Sequence, residues 1–163
     1  MTQIKVAVEP QPYDVLIESG LIEHAGSRLR TLFPERTACF VVTAAPIRRK
    51  WGTKLTSSLT RNGWQVKMIE MPDGERHKRM ATVEALAEKL VALRADRNAV
   101  LIALGGGVVG DVTGFLASVY MRGIDVVQIP TTVVAQVDAS IGGKTGVNLK
   151  AGKNLVGTFH QPR

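Results

Sequence analysis

The sequence predicts an α/β fold: an open, mostly parallel sheet with helices on both faces, plus an N-terminal strand pair and a C-terminal glycine-rich hairpin. Three observations carry that prediction. Apolar runs too short for helices alternate with amphipathic stretches at helical spacing, a rhythm that feeds parallel strands through right-handed crossovers. The run from Ala99 to Leu104 is apolar at every position, as a strand covered on both faces must be. It breaks at Gly105-Gly106-Gly107, and a helical pattern resumes from Val109 to Val119. Residues 1–163 read as one domain, with no internal repeat or low-complexity tract.

Ile4 to Val8 and Tyr13 to Ile17 alternate as strands around Glu9-Pro10-Gln11-Pro12, either as a hairpin or as adjacent strands. Ser19-Gly20 opens a helix striped by Ile22, Ala25, Leu29 and Leu32, which Pro34 closes. Ala38 to Thr43 is a buried strand. Pro46 suits the first turn of a helix running to the Asn62-Gly63 stop. Its basic residues Arg48, Arg49, Lys50 and Lys54 read as solvated surface. Trp64 to Met71 is the next strand, and a polar loop, Pro72 to Lys78, follows it. Val83, Leu86, Ala87, Leu90 and Val91 stripe a helix that the charged run up to Asn98 ends. Beyond the glycine turn and its helix come Tyr120-Met121-Arg122-Gly123 and the strand Asp125 to Ile129. Pro130-Thr131-Thr132 starts another helix, with hydroxyls placed to cap it. Leu155 to Phe159 reads as ordered structure.

A net charge of +7 calls for an anionic partner. Aromatics are only 5% and the cations are spread over several segments, so a small phosphorylated ligand ranks ahead of nucleic acid. The single cysteine, Cys39, lies in an apolar run; it reads as a buried thiol, and no intrachain disulfide is possible. No apolar run reaches membrane-spanning length and Met1 to Lys5 shows no signal-peptide pattern, so the expected setting is cytoplasmic and reducing, with no membrane partner. His24 reads as a surface residue, and His77 has no Cys or His near it. The three histidines are far apart and none is spaced with an acid as a ligand pair, so neither a metal site nor a Ser-His-Asp arrangement is expected.

Gly105, Gly107 and Gly110 fit G-x-G-x-x-G between a strand and a helix. Glycines there let backbone N–H groups approach a pyrophosphate, and the helix start adds unpaired donors. Two features depart from the usual dinucleotide fingerprint. The motif lies past the middle of the chain, and the next strand starts with an acid, Asp125, instead of ending with one. The loop Asp73, Gly74, Glu75, Arg76, His77, Lys78 follows a strand, where open α/β sheets take ligands. Further on, Lys144, Lys150, Lys153, Asn148 and Asn154 stand among Gly142, Gly143, Gly146, Gly152 and Gly157. That segment is either a basic surface hairpin or a site for a phosphate or carboxylate. Gly143-Lys144-Thr145 is not a P-loop, because Asp138 stands where that motif needs glycine. Arg122 extends the anion site, and Asp138 is either a salt-bridge partner or a ligand contact.

Pro72-Asp73-Gly74-Glu75 with Lys78, Ala103 to Asp111, Tyr120 with Arg122-Gly123, Gln128 to Thr132, Gln136 to Asp138, Gly142 to Thr145 and Gly152 to Asn154 come in the order and spacing of one family. Together they make the chain resemble the N-terminal, Rossmann-like half of the 3-dehydroquinate synthases, within the sugar-phosphate cyclases. The resemblance implies a lyase of the shikimate pathway, acting in aromatic amino-acid biosynthesis. Its reaction is NAD-dependent cyclisation of 3-deoxy-D-arabino-heptulosonate 7-phosphate to 3-dehydroquinate with loss of phosphate, assisted by a divalent metal, zinc or cobalt.

By the same resemblance, Asp73, Gly74, Glu75, Arg76, His77 and Lys78 hold the adenosine end of NAD, with Glu75 and Lys78 the main contacts. Gly107, Val108, Val109, Gly110 and Asp111 cradle its pyrophosphate and nicotinamide ribose, and Thr131 and Thr132 touch it. Lys144 and Lys153 lie between cofactor and substrate. Asp138 and Asn154 bind substrate, and Arg122 binds its phosphate, in the same chain or across a homodimer interface. No residue of this half is implied as catalytic. The metal ligands belong to a helical C-terminal domain absent from this sequence, so turnover by the chain alone is not expected, and an apolar face near the cleft should be exposed. Ala44 and Pro46 replace the polar residues that the family has near the adenine ribose, which predicts weak NAD binding. A sister cyclase, a glycerol-dehydrogenase-like oxidoreductase and a binding-only NAD module stay open as alternatives.

Overall fold

The computed structural model describes residues 1–9 and 11–163, so Pro10 of the expected inter-strand turn lies outside the described residues. The chain runs β1 (Thr2–Val6), β2 (Tyr13–Ile17), α1 (Ala25–Leu32), β3 (Ala38–Ala44), α2 (Ala45–Ile47), α3 (Thr53–Arg61) and β4 (Gln65–Met71). It continues through α4 (Met80–Ala92), β5 (Val100–Gly105), α5 (Gly107–Val119), β6 (Asp125–Pro130), β7 (Lys144–Leu149) and β8 (Gly152–Phe159). A π-helical turn, Arg48–Gly52, joins α2 to α3.

Strands β4, β3, β5 and β6 form one parallel sheet in that order, with helices on both faces as predicted. Alternation along the strands decides which face each side chain serves. Cys39 and Val41 of β3 join Val100, Ile102 and Leu104 of β5 against Leu29 of α1 and Leu55 and Leu59 of α3. Their neighbours Phe40, Val42, Leu101 and Ala103 face Val83, Leu86 and Leu90 of α4 and Val112 and Leu116 of α5. β5 therefore has no solvent face, which is why its sequence is apolar throughout. Each fully buried Leu or Ile here contributes about 1.5–3 kcal/mol from lost water contact.

The strand order reverses between β3 and β5, which opens a crevice beyond their C-terminal ends, the place where such sheets bind ligands. Inside that edge the Thr43 hydroxyl donates to the Leu104 carbonyl at 2.8 Å and is fully buried. Two antiparallel pairs flank the sheet: β1 with β2, and the β7–β8 hairpin, whose Val147 is buried in the same core as α5.

Several boundaries differ from the expectation. β1 covers Thr2–Val6 instead of Ile4 to Val8, because its ladder ends at the Val6–Tyr13 pair and Pro12 has no N–H to extend it. A 3₁₀ turn, Leu21–His24, precedes α1. Leu32 is 44% and Val91 60% exposed, so each lies outside the buried stripe of its helix. Phe33 takes the buried place after α1, meeting Trp64 edge to face at 6.5 Å, and Leu90 of the expected stripe is fully buried. α4 stops at Ala92, well before Asn98, as Arg94 turns left-handed (φ 59°) and the Ala95 N–H donates to the Leu90 carbonyl. α5 starts at Gly107, two residues earlier than its apolar pattern. The helix after Thr132 is short, with a π-helical turn over Ala135–Ala139.

Two residues of the basic face of the α2–α3 helical region are paired on the surface. Arg48 meets Glu70 at 2.7 Å and Lys54 meets Glu23 at 3.4 Å, exposed contacts that contribute little to stability. Among the described residues, no helix is long and apolar enough to cross a membrane.

Candidate functional site

The site is built where β5 becomes α5. No side chain caps the first turn of α5, so its leading N–H groups are unclaimed donors at the positive end of the helix. Gly106 and Gly107 keep this mouth open. An added Cβ at Gly106 would lie 3.4 Å from Thr132 Cγ2, and one at Gly107 would lie 3.3 Å from Ala139 Cβ. The segment after β6 therefore forms the opposite wall. Thr131 is anchored there by its N–H to the Gly105 carbonyl at 2.9 Å, while its buried hydroxyl has no partner among the described residues. Thr132 Oγ1 accepts the Ala135 N–H at 3.3 Å, the expected cap.

Gly110 and Gly114 do different work from Gly106. At Gly110 a Cβ would sit 2.9 Å from Gln128 Oε1, and the Gln128 amide donates to the Gly110 carbonyl at 3.2 Å. At Gly114 it would sit 2.5 Å from Thr145 Cγ2 of β7. These two glycines bring β6 and the hairpin against α5, so the last glycine of the motif is a packing residue.

That close approach gathers a polar cluster from three distant segments. Lys78 Nζ donates to Asp111 Oδ2 and to Asn154 Oδ1, each at 2.5 Å. Asn148 donates its backbone N–H to the Lys78 carbonyl at 2.7 Å and its side-chain amide to Glu75 Oε1 at 2.8 Å. Glu75 also faces Lys153 at 3.8 Å. Asp111 is partly buried, which pushes its carboxyl above the usual range; Lys78 opposes the shift, Glu75 adds to it, and Lys144 opposes it again.

Asp73, Gly74 and Arg76 are exposed in the same loop, Gly74 in a left-handed conformation (φ 99°), and Arg76 donates to the half-buried His77 ring at 2.9 Å. Lys144 lies 3.3 Å from Asp138, both exposed. The Gly142-Gly143 turn that precedes Lys144 is tied down by the Tyr13 hydroxyl, which accepts the Gly142 N–H at 2.9 Å. Val108 is half-buried and Val109 is buried in the core.

Arg122 stands apart. It is exposed just beyond the C-terminal end of α5, whose 13 residues separate it from the glycine mouth by about 20 Å at 1.5 Å per residue. The expectation that it extends the same anion site within one chain is therefore not met. Asn148, named with the basic glycine-rich segment, joins the cluster through Glu75, whereas Tyr13 and Gln128 help to build the site without being marked as site residues by the sequence. Gln128 carried one legible signal, a polar residue inside an apolar strand. Among the described residues no three His, Cys, Asp or Glu side chains group as metal ligands.

Comparison with solved structures defines the class of fold. 2-Deoxy-scyllo-inosose synthase, solved with carbaglucose-6-phosphate, NAD⁺ and Co²⁺, matches 99% of this chain with 44% of its own, at TM-score 0.90 and 26% identity. The 2-epi-5-epi-valiolone synthase of Streptomyces hygroscopicus, with NAD⁺ and Zn²⁺ bound, matches 96% of this chain with 43% of its own, at TM-score 0.81 and 32% identity. The family model described as 3-dehydroquinate synthase N-terminal matches residues 68–163, and the chain belongs to that family. A 3-dehydroquinate synthase of Koribacter versatilis is 56% identical over 162 residues, 99% of this chain and 44% of the relative. The chain thus spans less than half the length of the relatives it matches.

Proposed function

We propose that this chain is the NAD- and substrate-binding part of a 3-dehydroquinate synthase, working in the cytoplasm on 3-deoxy-D-arabino-heptulosonate 7-phosphate. The observation that carries the reading is the convergence of an uncapped helix start, an open glycine mouth and the Glu75–Lys78–Asp111–Asn154 cluster at one sheet edge. The two solved cyclases with NAD⁺ support the cofactor.

The residues present fit a dinucleotide. The pyrophosphate takes the free N–H groups of Gly107 and Val108, and the unpartnered Thr131 hydroxyl supplies a further donor. Glu75 suits ribose hydroxyls as an acceptor. NAD, when bound, supplies a hydride acceptor for a substrate hydroxyl. Lys144, exposed beside Asp138, and Lys153, exposed beside Glu75, meet the substrate's carboxylate or phosphate charge and stabilise the leaving phosphate. Asn154 donates to a substrate oxygen, and Asp138 orients Lys144 at 3.3 Å. Arg122 reaches a phosphate only from a second copy, so a homodimer belongs to the reading. The metal ligands that the resemblance assigns to a second domain are not grouped among the described residues, and no step is assigned to a metal.

Calorimetric titration of the purified chain with NAD⁺ and then with the sugar phosphate tests this. Both ligands are expected to bind, with inorganic phosphate competing against the second. Failure of NAD⁺ to bind at millimolar concentration would overturn the reading.

A further inference from the structure

Lys78 has none of the freedom of a ligand-seeking lysine. It is 5% exposed, whereas Arg76, Lys144 and Lys153 around it are exposed. Its ammonium has three donors, and two are spent on Asp111 and Asn154. Its own carbonyl is held by the Asn148 N–H.

The consequence falls on Asn154. A side-chain amide has one accepting and one donating end, and its partners decide which way it turns. The Lys78 cation draws the oxygen inward. The nitrogen, with two N–H groups and no partner among the described residues, is left as the outer end of an exposed side chain. The backbone reinforces this choice: Asn154 adopts a left-handed conformation (φ 55°), and its N–H donates to Asn148 Oδ1 at 2.9 Å.

We propose that Lys78 is a positioning residue on the substrate side: it fixes the Asn154 amide with its donors outward, toward a hydroxyl or carboxylate oxygen of the sugar acid, and it does not contact the adenosine of a bound dinucleotide. The proposal rests on the reading that Asn154 meets the sugar phosphate. It departs from the resemblance, which places Lys78 at the adenosine end. Without Lys78 the amide is free to turn over and present its oxygen, which repels an acceptor.

A double-mutant cycle read by calorimetry tests it, with 3-deoxy-D-arabino-heptulosonate 7-phosphate and ADP as probes on the purified chain. Lys78→Met is expected to weaken the sugar phosphate by about tenfold and to leave ADP within about twofold. Lys78→Arg, which keeps a cationic donor, restores most of that loss. In an Asn154→Ala background, Lys78→Met adds less than about twofold, because the two act as one unit. If Lys78→Met melts early, the charge-balanced pair with Asp111→Asn, compared with Asp111→Asn alone, carries the same test. An equal loss of ADP affinity, or a full additional loss in the Asn154→Ala background, overturns the proposal. Wild-type chain that binds ADP but not the sugar phosphate overturns it while leaving dinucleotide binding intact. Binding of neither probe sinks the functional reading as well.

Discussion

Gly114→Ala tests whether the hairpin is seated on α5 by a missing side chain. The new methyl carbon would lie 2.5 Å from Thr145 Cγ2 and 3.3 Å from Thr145 Cβ. Carbon atoms prefer about 3.5–4.0 Å, so β7 must move by about 1 Å or Thr145 must rotate. Rotation is resisted, because the Thr145 hydroxyl bonds to the Thr158 carbonyl and hydroxyl, both at 2.9 Å. Overpacking costs about 1–3 kcal/mol and a lost hydrogen bond about 1 kcal/mol, against about 1 kcal/mol gained by Ala over Gly in a helix. The net is a destabilisation of about 1–3 kcal/mol, or roughly 3–10 °C in Tm for a chain of this size. Because the hairpin carries Lys144, Lys153 and Asn154, sugar-phosphate affinity should fall more than ADP affinity. Thr145→Ser removes the offending methyl and keeps the hydroxyl, so adding it to Gly114→Ala should recover the melting temperature. Thermal melts of the wild type, Gly114→Ala and the double variant decide. A Gly114→Ala protein as stable as wild type, or one that Thr145→Ser does not rescue, refutes the packing argument.

Two further outcomes follow from burial and placement. Burial pushes the Cys39 thiol up to about 12 against an ordinary 9.0, with Arg30 opposing. A folded-state value above the unfolded one gives stability that is complete below pH 9 and lost as pH rises toward 12. Denaturant melts across that range should show a decline that Cys39→Ala reduces; an identical decline in the variant would contradict it. Arg122→Ala is expected to weaken sugar-phosphate binding only at protein concentrations where sedimentation shows a dimer, and an equal loss in the monomer would show that Arg122 acts within its own chain.

What could be read from the sequence was what short-range pattern encodes. β5 and its glycine turn were plain because a strand buried on both faces leaves no polar position and a glycine run must then follow where backbone meets a ligand. The cluster was legible only as a set of residue types. Lys78 lies 33 positions from Asp111 and 76 from Asn154, and nothing local says that these three meet. Tyr13 was hidden for the same reason, since its hydroxyl serves a turn 129 positions away. Arg122 is the opposite case. Its neighbouring glycine suggested membership of the site, but α5 carries the chain to the far edge of the sheet before it reaches that position.

The central claim is that the β5–α5 turn holds the pyrophosphate of a dinucleotide. Backbone amide chemical shifts recorded while NAD⁺ is titrated into the isotope-labelled chain test it most directly. The account predicts saturable shifts concentrated at Gly106 to Asp111 and at Thr131 and Thr132, with an affinity weaker than micromolar because Ala44 and Pro46 offer the adenine ribose no polar contact. Shifts that spare the glycine turn, or that gather at the opposite edge of the sheet around Arg36 and Asn98, would contradict it.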